Sequence, residues 1–457
     1  MKKFLKNYIN FLISIFLFAL TLVIVGKNLN KPFWGIHDWN GARYGNIARN
    51  YVRYGYFTTK FSQIENGGVY THYPPMLPIL ISFSYKFFRV NEWATRLVPV
   101  LATSGLIIII YLIGRTIFSN KIGLTASLLA LATPMIRYYG KNPVHEPLAL
   151  FFASLAFLGA AKFTKKKNTG WNLILIGIVL TSLTNWSSVF LVLAITLILV
   201  GKVSHKEIIK LWIINLSLIL LHFLSIYLVT GSFFGGGILD SLIQRTSLGG
   251  ASSQTKFSLF EFINRVRLWS SNLFTISLLV TSFIGTYFVF KSRTSFVKRF
   301  VFGTFIYCAG YPLVFLNATF IHEYFIFYLV LPISLLASFG LSKIFEKKTL
   351  WLLTSIALIA LVWFERARYM KALEVSNIDG LAVQIGKELN QKVLKDEQVL
   401  IEPYAFAASR LPHLSFYSDR KITLDRNSSY NWSLEVDETG GDYNRVQENP
   451  AFKAGMN

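Results

Sequence analysis

The sequence predicts an all-α polytopic membrane protein of about eleven transmembrane helices, with interfacial helices and a small extracytoplasmic α/β appendage at the C-terminal end. Three observations carry this. The 457-residue chain is 53% hydrophobic with a mean hydropathy of +0.46, too apolar for an ordinary soluble enzyme. Its apolar residues gather into repeated, nearly uncharged runs long enough to cross a bilayer. Its net charge of +23 sits largely in short loops between those runs, where it orients a membrane protein rather than gripping nucleic acid. The single cysteine, Cys308, excludes disulfides within the chain and cysteine-rich metal sites.

The first span is expected over residues 8–26. Lys2, Lys3 and Lys6 precede it and no small-residue cleavage site follows, so it reads as a retained helix leaving the cytoplasm. The next loop, 31–75, is far longer than a connection requires and is crowded with aromatic, basic and amide side chains. Long structured loops are commonly functional. Within it Arg43, Asn46, Asn50 and Arg53 recur at helical spacing, with Tyr44, Ile47, Ala48 and Tyr51 on a neighbouring face. This is the pattern of a helix lying in the membrane interface.

The segment 74–88 is short and contains Pro78. A crossing there would put the later basic clusters outside, so it is read as interfacial or re-entrant. Spans then follow at 94–118, 122–138 and 147–163, and a pair within 171–200 is broken near Asn185, Trp186 and Ser187. Further spans fall at 211–229, 272–290, 300–315, 324–341 and 350–364. Lys165 to Lys167, Lys202, Lys291, Arg293, Lys298 and Lys347 would face the cytoplasm. A second long external loop, 231–269, carries GGG, LGG and the cations Arg245, Lys256, Arg265 and Arg267, and would cover an anionic ligand. The chain divides into a membrane domain, 1–364, and a soluble domain, 365–457. The latter has a helix at 378–393, a strand at QVLIE, short strands near LSFYS and KITL, and a weakly patterned tail from Asn427.

No P-loop, HExxH or dinucleotide GxGxxG is present. Two external acids stand out, Asp38 and Glu146. Asp38 or Asn40 also suits a helix cap, and Glu146 before Pro147 suits the first turn of a span. Around them lie Arg43, Arg49, Arg53, His72, Arg96, Arg137, Lys141 and His322. Snorkelling to headgroups is the alternative use of such cations. A carboxylate to take a proton and cations to hold a departing phosphate are the minimum for moving a sugar from a lipid phosphate to an alcohol.

The ordered set HDWNGARYGNIARNYVRYG, HYPPMLPI, NEWATRLVPVLA and NPVHEPLALFF resembles the C-type (GT-C) glycosyltransferases that use polyprenyl-phosphate sugars, the aminoarabinose transferase and protein O-mannosyltransferase group. The likeness covers residues 1–163 and continues more loosely through HEYFIFYLVLPISLLASFG. The resemblance implies an inverting, multi-pass cell-envelope enzyme with its site outside the cytoplasm. Asp38 falls at the catalytic acid of the first external loop, Arg43 and Tyr44 in its A-R-Y element, and Glu146 at the acid of the second loop. Donor-phosphate contacts are expected among Arg43, His72, Tyr73, Arg137, Lys141 and His322. Two positions depart from the group: Trp39 and Asn40 stand where a second acid is common, and Tyr73 where a lysine often precedes the double proline. A divalent cation, with Asp38 and Glu146 as its candidate ligands, is the one cofactor left open. The expected partners are a polyprenyl-phosphate-linked sugar, a hydroxyl-bearing acceptor and membrane lipid, with no nucleic acid. Rival readings are a lipid or solute transporter, which would need ionisable residues deep in its spans, and a non-catalytic assembly protein.

Overall fold

The first apolar run folds as one helix, Lys2–Val25, in a computed structural model that describes residues 2–65, 68–165, 169–247, 256–292, 294–374, 377–436 and 447–448. Lys166, Lys167, the LGG at 248–250, Arg293 and most of the tail after 436 lie outside the described residues. Among those described, five helices are long and apolar enough to cross a membrane: Tyr8–Val25, Glu92–Ile117, His145–Thr164, His205–Thr230 and Glu323–Ile344. The count reaches 7 if two bent pairs are each one span, Leu259–Leu273 with Ile276–Lys291 and Lys348–Phe364 with Ala367–Leu373. The chain is thus a mostly helical, multi-pass membrane protein.

It resolves into two compact units. The first comprises residues 1–27, 71–77 and 98–370. Helices pack closely here where glycines let backbones approach. A Cβ on Gly285 would lie 1.9 Å from the Leu336 carbonyl, and one on Gly340 would lie 2.7 Å from that of Thr281. The expected break near Asn185 to Ser187 is present between Trp171–Ser182 and Ser188–Leu199. Backbone freed inside a membrane must find partners. Asn185 Oδ1 accepts from the Ser187 amide at 2.8 Å, and Asn215 Nδ2 donates to Ser182 and Ser188 hydroxyls at 2.8 Å each. The span read at 122–138 is two helices, Asn120–Ala132 and Pro134–Tyr139, because Pro134 has no N–H to continue the ladder and Thr133 caps the second piece.

The second unit comprises 28–70, 78–97 and 371–457. It holds the helix Trp39–Tyr54, the antiparallel pair Gln63–Glu65 and Gly68–Tyr70, and a four-stranded sheet. In that sheet Gln398–Glu402 pairs in parallel with Lys421–Thr423 and Trp432–Glu435, and Gln447–Glu448 closes one edge antiparallel. Asn377–Lys392 and Tyr404–Ser418 are its helices, and Ile385, Leu389, Val399, Ile401, Leu414 and Leu434 form the core. LSFYS, expected as a strand, is instead the last turn of Tyr404–Ser418. Phe406, Ala407 and Leu414 share its core-facing stripe at helical spacing, and that burial holds the helix through Pro412.

Candidate active site

In the second unit the site begins with the loop before Trp39–Tyr54. Asp38 stands at the N-cap position but its side chain makes no capping bond. Its Oδ2 instead accepts from the Gly35 amide and from Arg96 Nη2, each at 3.1 Å. Arg96 is only 3% exposed. It also donates to the carbonyls of Leu29 at 2.8 Å, Pro32 at 3.3 Å, and Lys31, and its guanidinium lies 4.5 Å from the Phe33 ring. One buried fork therefore fixes the loop from 29 to 38 and orients the carboxylate at its end. Oδ1 has no hydrogen-bond partner among the described residues, so one oxygen is anchored and the other is available.

Trp39–Tyr54 buries Tyr44, Ile47, Ala48 and Tyr51, the face read from sequence. It packs on Tyr404–Ser418 through small residues: a Cβ on Gly45 would sit 2.6 Å from the Phe416 ring. Arg43 lies 4.8 Å over the Trp39 ring and 5.2 Å over Tyr70, whose hydroxyl is 3.3 Å from that of Tyr44. Further along, Arg49 and Arg53 share Asp419 at 3.1 and 2.7 Å. Burial pushes the Arg49 guanidinium below its ordinary value despite that carboxylate. Arg53 is also penalised by burial, but its hydrogen bonds to Asp419 and the charge there outweigh the penalty and raise it. These groups, with Asn91, Glu92 and Lys387, line an open groove of about 810 Å³.

In the first unit Glu146 is 1% exposed in the first turn of His145–Lys165. Arg245 is close enough to interact with its charge, as are Tyr307, Tyr311 and Tyr328. The adjoining His145 ring lies 4.4 Å from that of Tyr73. Arg245, on Ile238–Thr246, reaches His72 Nδ1 at 3.1 Å and lies 5.0 Å over the Tyr73 ring. The segment bearing His72 and Tyr73 is pinned from behind. Trp186 Nε1 donates to the His72 carbonyl at 2.7 Å, and His222 Nε2 lies 3.2 Å from the Thr71 carbonyl.

His72 and Tyr73 thus meet Arg245 and the His145–Glu146 turn. Two other candidate cations of this unit have local engagements: Arg137 donates to the Trp363 carbonyl at 3.0 Å and covers that ring at 3.8 Å, and Lys141 donates to the Lys27 carbonyl at 2.9 Å. His322 stacks on Tyr324. Sequence reasoning placed Arg245 only in a basic loop and did not select Glu323, a buried acid that accepts from Tyr139 Oη at 2.8 Å. The first signal was the cation in a glycine-flanked loop; the second had none beyond its HEYF context. Among the described residues no three His, Cys, Asp or Glu side chains form a metal-holding group. The anchored Oδ2 of Asp38 does not fit a cation site as it stands.

Residues 72–230 match the family model of dolichyl-phosphate-mannose-protein mannosyltransferases. A protein of Aquifex aeolicus (strain VF5) is 29% identical over 174 residues, 37% of this chain and 34% of that one, so the match takes in about a third of that relative. ArnT from Cupriavidus metallidurans, crystallised with undecaprenyl phosphate, superposes with a TM-score of 0.69 at 14% identity, over 93% of this chain and 86% of its own. AglB, the oligosaccharyltransferase of Archaeoglobus fulgidus in complex with an inhibitory peptide and a dolichol-phosphate, does so with 0.56 at 12%, over 91% of this chain and 64% of its own. The fold is therefore like that of ArnT and of the archaeal oligosaccharyltransferase.

Proposed function

We propose that the protein is an inverting glycosyltransferase that moves a hexosyl or pentosyl group from a polyprenyl phosphate to a hydroxyl acceptor. The observation that carries this reading is a carboxylate held by one oxygen, in a chain whose fold matches ArnT almost end to end. Asp38 takes the proton of the acceptor hydroxyl through Oδ1 as the hydroxyl oxygen attacks the anomeric carbon. The carbon–oxygen bond to phosphate breaks, and polyprenyl phosphate leaves with the electron pair. Arg43 beside Trp39 and, in the other unit, Arg245 with His72 are the groups assigned to phosphate charge. Tyr73 walls the Arg245–His72 pair, and Glu146 keeps Arg245 in place. Arg137, Lys141 and His322 act as outlying contacts to the lipid phosphate. The groove beside Arg53, with its amides and mixed charges, suits a polyhydroxyl acceptor.

The reading includes about eleven crossings, an N-terminus in the cytoplasm, and an external site and C-terminal domain at 365–457, which is what the basic loops favour. No step above is routed through a divalent cation. The test is incubation of the purified protein with a panel of polyprenyl-phosphate sugars. Release of polyprenyl phosphate with at least one donor, dependent on an alcohol acceptor, is expected. No release across the panel with acceptors of every class, by a folded protein that binds donor, would contradict it.

A further inference from the structure

A cavity that the proposed reaction does not use lies in the first unit, between the C-terminal ends of Glu92–Ile117 and His145–Lys165. It measures about 690 Å³, and its lining includes Leu112, Arg115, Phe118, Ser119, Asn120 and Lys162. Both charges on this wall are positive. The sequence has no acid between Glu92 and Glu146, or between Glu146 and Glu207, so nothing nearby in the chain neutralises them. Arg115 is half-buried and makes no hydrogen bond or ion pair among the described residues. A guanidinium presents five donors, and leaving them partly desolvated and unmet is costly.

The neighbouring polar groups do not supply the missing acceptor. Thr116 donates its hydroxyl proton to the Leu112 carbonyl at 2.6 Å, and Asn120 Nδ2 faces Asn10 Oδ1 at 3.3 Å. Ser119 Oγ accepts from the Ile122 amide at 3.3 Å, which leaves its own proton to give. The cavity thus offers Arg115, Lys162 and the Ser119 hydroxyl as donors, beside the apolar walls of Leu112 and Phe118. Its depth is also defined. Lys162 is sixteen positions along the same helix from Glu146, roughly 24 Å at the helical rise, most of the ~30 Å hydrocarbon thickness.

We propose that this cavity holds the phosphate of an anionic phospholipid headgroup, at the membrane boundary opposite the Glu146 end of the helix. Basic pockets between spans at that level are suited to such headgroups. A zwitterionic lipid would bring its own cation against Arg115 and Lys162. The site is independent of the transferase reading, because it shares no residue with it.

The test is thermal unfolding of the full-length protein in neutral detergent with added phosphatidylglycerol, phosphatidylcholine or inorganic phosphate. Phosphatidylglycerol should raise the midpoint by on the order of 3 °C or more, and the other two should not. The shift should shrink in Lys162→Gln and vanish in Arg115→Gln/Lys162→Gln. An equal shift with phosphatidylcholine, or with inorganic phosphate, would overturn the assignment to an anionic lipid. So would an undiminished shift in Lys162→Gln, whose exposed position makes it a safe reading if the double variant does not fold.

Discussion

Asp38 and Glu146 are both buried carboxylates, but they are held by opposite means. Asp38 touches a buried arginine that also gathers three loop carbonyls, so its orientation is set by a rigid fork. Glu146 sits among tyrosines, with Arg245 as its electrostatic partner. Removing Asp38 strands a buried cation, whereas removing Glu146 mainly alters the field around Arg245 and His72. In the proposed mechanism the first carboxylate serves chemistry that needs a fixed direction and the second belongs to the surroundings of the phosphate.

The comparison breaks most visibly at Arg96. Arg96→Met leaves Asp38 and the carbonyls of 29–32 without their donor, and should lower unfolding free energy by about 3–5 kcal/mol; denaturant unfolding measures it. A loss of less than about 1 kcal/mol would mean the loop is held by something else. Arg245→Gln tests the other region. It removes a charge-assisted contact at the proposed phosphate position, so donor KM should rise by about tenfold or more while stability changes little. A change confined to acceptor KM would move Arg245 out of the donor site.

Smaller effects sharpen the picture around the first carboxylate. Gly45→Ala places a methyl against Phe416 and Tyr85, an overpacking cost of about 1–3 kcal/mol, read as a lowered thermal midpoint. Asp419→Asn frees two arginines at a partly exposed pair and should cost about 1 kcal/mol or less, a loss that fades as salt is added. An effect larger than that of Gly45→Ala would show that the arginine pair, rather than the glycine approach, carries the packing of Trp39–Tyr54.

How much of this could be read in advance follows the range of the interactions. The cores of the five long apolar helices, the break at Asn185 to Ser187 and the buried face of Trp39–Tyr54 are local patterns of hydropathy and turn chemistry, and they were legible. The role of Arg96 was not: it stands 58 positions from Asp38 in sequence, and a cation near a membrane reads equally as a snorkelling side chain. Arg245 is farther still, 173 positions from His72. LSFYS misled because its alternation mimics a strand, while the residues that decide its helix, Phe406 and Ala407, lie upstream. The strand Trp432–Glu435 was hidden in a polar tail because its partner, Gln398–Glu402, supplies the pairing.

The central claim is that Asp38 takes the acceptor's proton, and Asp38→Asn tests it directly. Asparagine can still accept from Arg96 and the Gly35 amide through one oxygen, so fold and donor binding should survive. Single-turnover release of polyprenyl phosphate, measured at matched donor occupancy and well below the variant's own thermal midpoint, should fall by roughly 10²–10⁴-fold. Near-normal release by the folded variant would contradict the account and leave Asp38 as a structural partner of Arg96.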